Sequence, residues 1–114
     1  MNSVENNYLR TAKDLTLQLL GDGEYAVFLF GSRARGKQSR SADIDIGVLG
    51  KTAIPDKLRE QLLDDFEKSD VPYKVDVIDF FNVPEQFKQV ALKDIEIWHL
   101  PPSFPKDWLH LKKH

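Results

Sequence analysis

Hydrophobic positions recur along this chain at two spacings, which alternate from one segment to the next. In residues 3–20 apolar side chains return every three or four positions, which predicts a helix that ends before Gly21. A short apolar run at residues 25–30 predicts a buried strand. Strict alternation over residues 43–49 predicts a second strand with one buried face. Between the two strands lies a polar, basic segment at residues 31–42.

The alternation continues in the second half of the chain. Apolar side chains four residues apart predict a helix that starts at Pro55 and ends near Ser69. Residues 73–80 predict a third strand, residues 84–92 a short helix and residues 96–99 an edge strand. We therefore expect an α/β (α+β) architecture, in which a small mixed sheet carries helices mainly on one face.

Composition limits the classes of protein that this chain can represent. We expect a single domain over residues 1–114 with an irregular C-terminal tail at 99–114, because a chain of 114 residues can bury only one core. The absence of cysteine excludes disulfides, thiolate metal sites and a cysteine nucleophile. No apolar run approaches the roughly 20 residues that span a bilayer, and the polar N-terminus predicts no targeting peptide, so we expect a cytoplasmic protein with no membrane partner.

The net charge of the chain bears on how it could bind a polyanion. Sixteen Lys and Arg residues against 18 Asp and Glu residues give a net charge of −2, which argues against binding nucleic acid through bulk positive charge. We expect no direct nucleic-acid partner. Any polyanionic ligand must be held by local features of the chain.

Asp43 and Asp45 form the first candidate site. On a strand they share one face and lie about 7 Å apart, close enough to repel each other unless a cation lies between them. Mg²⁺ is a hard cation that commonly takes one or two protein carboxylates together with phosphate oxygens. The alternative is an exposed strand face whose aspartates simply face water.

The turn after the first strand supplies the complementary half of such a site. Gly31 lets the backbone approach a phosphate closely, and the Ser32 hydroxyl can donate a hydrogen bond. Arg33 and Arg35 follow at once, and guanidinium groups bind phosphate oxygens in pairs. A solvated basic loop is the alternative for this segment alone. A phosphate-binding turn directly before a carboxylate pair indicates a nucleoside triphosphate held between donors and metal.

A third carboxylate is expected from the neighbouring strand. Asp76 and Asp79 are the candidates, and their opposite parity allows only one of them to face the site. We choose Asp76, which lies within the strand, whereas Asp79 lies near its end. Three carboxylates suffice for two Mg²⁺ ions about 3.5–4 Å apart, one on the triphosphate and one on the attacking hydroxyl, with Asp76 as ligand and proton acceptor.

The order of these residues resembles a known signature. Gly31-Ser32, then ten residues, then Asp43-Ile44-Asp45 is similar to the polymerase-β-type nucleotidyltransferase superfamily, and the Gly-Ser-Arg-Ala-Arg-Gly sequence resembles its minimal nucleotidyltransferase (MNT) branch. The resemblance covers about residues 25–80. It implies Mg²⁺-dependent transfer of a nucleoside monophosphate from a nucleoside triphosphate, ATP by analogy, to an acceptor. It also implies triphosphate binding by Gly31 and Ser32 and metal binding by Asp43, Asp45 and Asp76.

The resemblance also implies a partner protein. Members of this branch are often encoded beside a helical HEPN protein, and some act as antitoxins that adenylylate a tyrosine of that partner. Only 38 residues follow Asp76, too few for a second domain that would cover the nucleotide, so we expect the partner to complete the site in a hetero-oligomer. The alternative is a binding module that occupies its partner and binds nucleotide without turning it over.

Overall fold

The computed structural model describes residues 3–34, 43–102 and 104. Each helix and strand that the sequence predicts is present, with ends that agree to within about two residues. In chain order they are α1 (Ser3–Leu20), β1 (Ala26–Phe30), β2 (Ile44–Leu49), α2 (Asp56–Glu67), β3 (Val75–Asp79), α3 (Glu85–Ala91) and β4 (Glu96–His99). The tail that the sequence predicts to be irregular lies mostly outside the described residues.

The four strands form one mixed sheet in the order β3-β2-β1-β4. β1 runs antiparallel to both β2 and β4, whereas β2 and β3 are parallel. A parallel pair needs a crossover connection, and α2 provides it. The predicted mixed sheet is therefore confirmed. No helix in the described part of the chain is long and apolar enough to cross a membrane.

One face of the sheet packs against α1 and α2. The alternation in β2 places Ile44, Ile46 and Val48 on this face, where all three are fully buried. Helix α1 contributes Ala12 and Leu20 and helix α2 contributes Leu62 and Phe66, whose four-residue spacing follows one stripe of the helix. Two of the three helices thus cover one face, as expected.

The opposite face carries a smaller, aromatic core beside the short helix α3. The ring of Phe80 lies 5.0 Å from that of Phe28 and 5.1 Å from that of Phe30, both edge to face. Phe87 of α3 extends this cluster, with its ring 5.7 Å from that of Phe80. The face that carries α3 is therefore closed at one side by aromatic rings, and the rest of it is available for the polar residues described below.

Gly47 is the position at which a side chain would disturb this aromatic core. It pairs with Phe28 across β1 and β2, and a Cβ at Gly47 would overlap three atoms of the Phe28 ring. We expect Gly47→Ala to lower the free energy of unfolding by about 1–3 kcal/mol, because the ring must leave its packed position. Urea denaturation measures the change.

Gly23→Ala is the matched control. Its Cβ would meet only ordinary contacts, the nearest being Cδ2 of Tyr25 at 3.4 Å, and Gly23 is exposed. We expect its stability to stay within about 0.5 kcal/mol of the parent chain. Equal stabilities for the two alanine variants would contradict this account of Gly47.

Candidate active site

The candidate residues meet at one edge of the sheet. Phe30, the last residue of β1, pairs with Asp45 near the start of β2, and Ile44 pairs with Val75 at the start of β3. The turn that follows β1 at Gly31 therefore lies at the end of the sheet where β2 and β3 begin. The topology alone brings together segments that are far apart along the chain.

Asp45 and Asp76 are direct register partners on parallel strands. Partners in a parallel pair point to the same side of a sheet, so both carboxylates lie on the face opposite α1 and α2. Both side chains are half-buried, so their carboxylates lie in partly dehydrated surroundings. Adjacent strands are separated by about 4.8 Å, and two negative charges at such spacing repel unless a cation lies nearby.

Asp43 lies immediately before β2 and two residues from Asp45, which gives it the same parity. It is half-buried, and the adjacent amide of Ile44 donates to the carbonyl of Lys74 at 2.9 Å, which extends the pairing with the chain before β3. Across the described ranges, however, no three acidic or histidine side chains lie close enough to hold an ion as placed. The three aspartates share a region of the sheet and do not form a closed ligand set.

Gly31 is packed directly against Asp45. Its φ angle of +80° lies in the left-handed region that favours glycine, and a Cβ at this position would overlap Oδ2 of Asp45. The backbone of the turn therefore approaches a carboxylate as closely as sterics allow. Ser32 follows in the same turn and is half-buried.

Arg33 does not extend into solvent. It is 6% exposed, and its guanidinium carbon lies 4.2 Å from the centre of the Tyr73 ring. Tyr73 in turn meets the ring of Tyr8 edge to face at 5.9 Å. Arg35, the other arginine that the sequence assigns to nucleotide binding, lies outside the described residues.

Asp79 has a structural role at the end of β3. Its carboxylate accepts hydrogen bonds from the amide of Ile54 at 3.1 Å, the amide of Phe81 at 3.0 Å and the side-chain amide of Asn82 at 3.4 Å. These bonds tie the segment before α2 and the turn after β3 to the strand. Of the two candidates on β3, only Asp76 lies on the face that carries Asp45.

An apolar cleft that the sequence did not indicate opens beside Gly31. It has a volume of about 210 Å³ and is lined by Phe30, Phe87, Val90 and Ala91. Phe87 and Val90 are 44% and 70% exposed, which is high for side chains of their size. Their three-residue spacing on α3 is the signal that sequence inspection could have used.

Similarity to known proteins agrees with this architecture, which is that of the nucleotidyltransferase fold. The family model described as Polymerase beta, Nucleotidyltransferase matches residues 24–99, which contain the turn and all three aspartates. The chain belongs to this family of nucleotidyltransferase enzymes, and its resemblance to the MNT branch is confirmed.

Individual relatives fall in the same branch. A Haemophilus influenzae protein named as probable protein adenylyltransferase MntA is 30% identical over 90 residues, which cover 79% of this chain and 77% of that protein. A crystal structure of a toxin-antitoxin with AMP-PNP superposes with a TM-score of 0.66 at 23% identity, covering 88% of this chain and 80% of the other. The complex of a tri-AMPylated Shewanella oneidensis HEPN toxin with its MNT antitoxin gives 0.61 at 20% identity, covering 90% and 79%.

The different surroundings of Asp76 and Asp79 predict that substitutions at these two residues change stability differently. We expect Asp79→Ala to lower the free energy of unfolding by about 1–3 kcal/mol, because it removes the acceptor for two backbone amides. Asp76→Asn is the matched control on the same strand and should be neutral or stabilising, because it relieves the repulsion with Asp45. Urea denaturation of both variants checks this, and a larger loss for Asp76→Asn would contradict it.

Proposed function

We propose that this chain transfers a nucleoside monophosphate, AMP in the first instance, from a nucleoside triphosphate to a hydroxyl group of a helical HEPN-type partner, and thereby acts as an antitoxin in the cytoplasm. The observation that carries the proposal is the packing of Gly31 against Asp45 while Asp45 faces the same side of the sheet as Asp76. The turn that we propose to bind phosphate therefore lies against one of two carboxylates that share a sheet face.

The chemistry of the carboxylates fits Mg²⁺. Asp43, Asp45 and Asp76 offer only hard oxygen donors, and Gly31 leaves no side chain between the turn and Asp45. When bound, two Mg²⁺ ions would neutralise charge on the triphosphate and lower the pKa of the acceptor hydroxyl. Because no three acidic or histidine side chains of the described residues lie close enough to hold an ion as placed, we infer that the ligand set closes upon binding.

The turn would hold the triphosphate. Backbone N–H groups at Gly31 and Ser32 and the Ser32 hydroxyl are donors of the kind that bind phosphate oxygens. Phosphates bound there would lie next to Asp45, so their charge must be balanced by cations. Arg35 is proposed as a direct contact, whereas Arg33 lies stacked on Tyr73.

The reaction follows from this arrangement. The acceptor oxygen attacks the α-phosphorus, a new P–O bond forms, and the bond to the departing pyrophosphate breaks. Asp76 would accept the proton of the attacking hydroxyl, while Asp43 and Asp45 would hold the metal. Pyrophosphate leaves on the side of the turn that held it.

A partner would supply the acceptor. In the described part of the chain, α3 is the one helix on the face that carries Asp45 and Asp76, and this leaves the carboxylates half-buried. The MntA relative is named as a protein adenylyltransferase, and the structural neighbour described above pairs an MNT antitoxin with an AMPylated HEPN toxin. Both support a protein hydroxyl as acceptor within a hetero-oligomer.

Intact-protein mass spectrometry tests the transfer. The chain is produced with the HEPN-type protein encoded beside it and incubated with ATP and Mg²⁺. We expect the partner to gain the mass of one or more AMP groups, and Asp45→Asn to abolish the gain by removing a metal ligand. Asp22→Asn, an exposed carboxylate before β1, is the matched control and should retain full transfer.

Two outcomes would overturn this proposal in different ways. Nucleotide binding with no covalent gain on the partner would favour the non-catalytic binding module. Full transfer by a chain carrying both Asp43→Asn and Asp45→Asn would show that transfer does not require these carboxylates.

Gly31→Ala tests the contact between the turn and Asp45. The added methyl group would require a left-handed backbone at alanine and would displace the Asp45 carboxylate. We expect transfer to fall by about 100-fold, because a shift of about 1 Å in a catalytic group is sufficient for such a loss. Gly23→Ala serves as the control, and transfer by Gly31→Ala at the parental rate would contradict the proposed role of this contact.

A further inference from the structure

Arg33 is the one charged side chain that is buried in the described part of the chain. Removing a cation from water is unfavourable unless its surroundings compensate, so a buried arginine beside a candidate phosphate-binding turn needs an explanation. Its guanidinium lies over the face of Tyr73 at 4.2 Å, within the range at which an aromatic quadrupole attracts a cation. The attraction is stronger in such dry surroundings than at an exposed site.

Both members of this stack belong to segments that carry proposed site residues. Arg33 follows Gly31 and Ser32 in the same turn, and Ala34 packs against the core shared with α1 and α2. Tyr73 lies just before β3, the strand that carries Asp76. The stack therefore joins the turn to the start of the strand that bears the proposed proton acceptor.

Tyr73 is itself fixed from behind. Its ring meets Tyr8 of α1 edge to face at 5.9 Å and packs with the same core. Arg33 is thus held against a ring that packs against α1 and lies just before β3. A guanidinium suits this position better than an ammonium, because its plane can stack on an aromatic face.

We propose that Arg33 is a positioning residue, which acts through its stack on Tyr73 to fix the distance between the Gly31–Ser32 turn and Asp76. This inference rests on the proposed function, since it assigns the triphosphate to the turn and proton acceptance to Asp76. Loss of the stack leaves the turn able to bind nucleotide but lets the α-phosphorus drift from the attacking hydroxyl. The cost therefore falls on kcat more than on nucleotide affinity.

Four substitutions separate this role from a direct phosphate contact. Tyr73→Leu removes the ring, and Arg33→Lys keeps the charge without the planar group. Both should lower kcat for AMP transfer to the partner by about tenfold or more, with the Kd for AMP-PNP changed by less than about threefold. Tyr73→Phe keeps the ring and should retain the parental kcat. Arg33→Met should show the same kcat and Kd as Arg33→Lys. If Arg33 instead contacted phosphate directly, Arg33→Met would raise the Kd for AMP-PNP, and Tyr73→Leu would keep the parental kcat and Kd.

A stability control separates positioning from general loosening. Tyr25→Leu removes another half-buried ring at the opposite end of β1 and should lower Tm without lowering kcat. If Tyr73→Leu behaves like Tyr25→Leu, the positioning role is wrong. Absence of transfer by the parent chain would instead overturn the proposed function.

Hydrogen exchange gives a readout that does not depend on transfer. In the chain alone, we expect the amides of residues 31–34 to exchange at least about tenfold faster in Tyr73→Leu than in Tyr73→Phe, because the turn loses its anchor. Unchanged exchange in Tyr73→Leu would overturn the proposal whatever the activity of the parent chain.

Discussion

The register that places Asp45 beside Asp76 on one sheet face is the constraint on which the proposed site depends. Asp45 and Asp76 are direct partners across parallel strands, an arrangement that neutral residues would adopt at lower cost. Gly31 allows the Asp45 carboxylate to lie against the end of β1, because a side chain at this position would overlap Oδ2 of Asp45. In our proposal, metal ions and Arg35 balance the charge of these carboxylates and of the bound triphosphate.

The core on the other face of the sheet keeps this geometry in place. Ile44, Ile46 and Val77 are buried against α1 and α2, and the pairing of Ile46 with Val77 sets the same register as that of Asp45 with Asp76. A slip of one residue would send the aspartates into the apolar core and the apolar side chains to the opposite face. The burial of these apolar side chains therefore excludes the one-residue slips that would separate Asp45 and Asp76.

Local patterns predicted each helix and strand of the described residues, because periodicity and turn residues are encoded within each segment. The parity of Asp76 also placed it correctly with Asp45 once the strands were paired. The partners of Arg33 and Asp79 could not be predicted in this way. Tyr73 and Arg33 are distant in sequence and come into contact only in the assembled fold. From the sequence alone, a basic residue beside a glycine-serine turn is interpreted as a phosphate ligand. Likewise, Asp79 is recognisable as a structural acceptor only when Ile54 is brought to it across the fold.

The sheet topology accounts for the position of the proposed transfer site. One end of the sheet brings together the aspartates and the Gly31–Ser32 turn, because the end of β1 and the starts of β2 and β3 coincide there. The same end offers few surfaces for the base or the acceptor. Beside Gly31 the described residues provide an apolar cleft lined by Phe30, Phe87 and Val90, whose side chains carry no hydrogen-bonding group. In our proposal the reacting groups therefore belong to this chain, whereas the choice of acceptor belongs to the partner. Under this proposal, the open face beside Asp45 and Asp76 makes transfer depend on the complex.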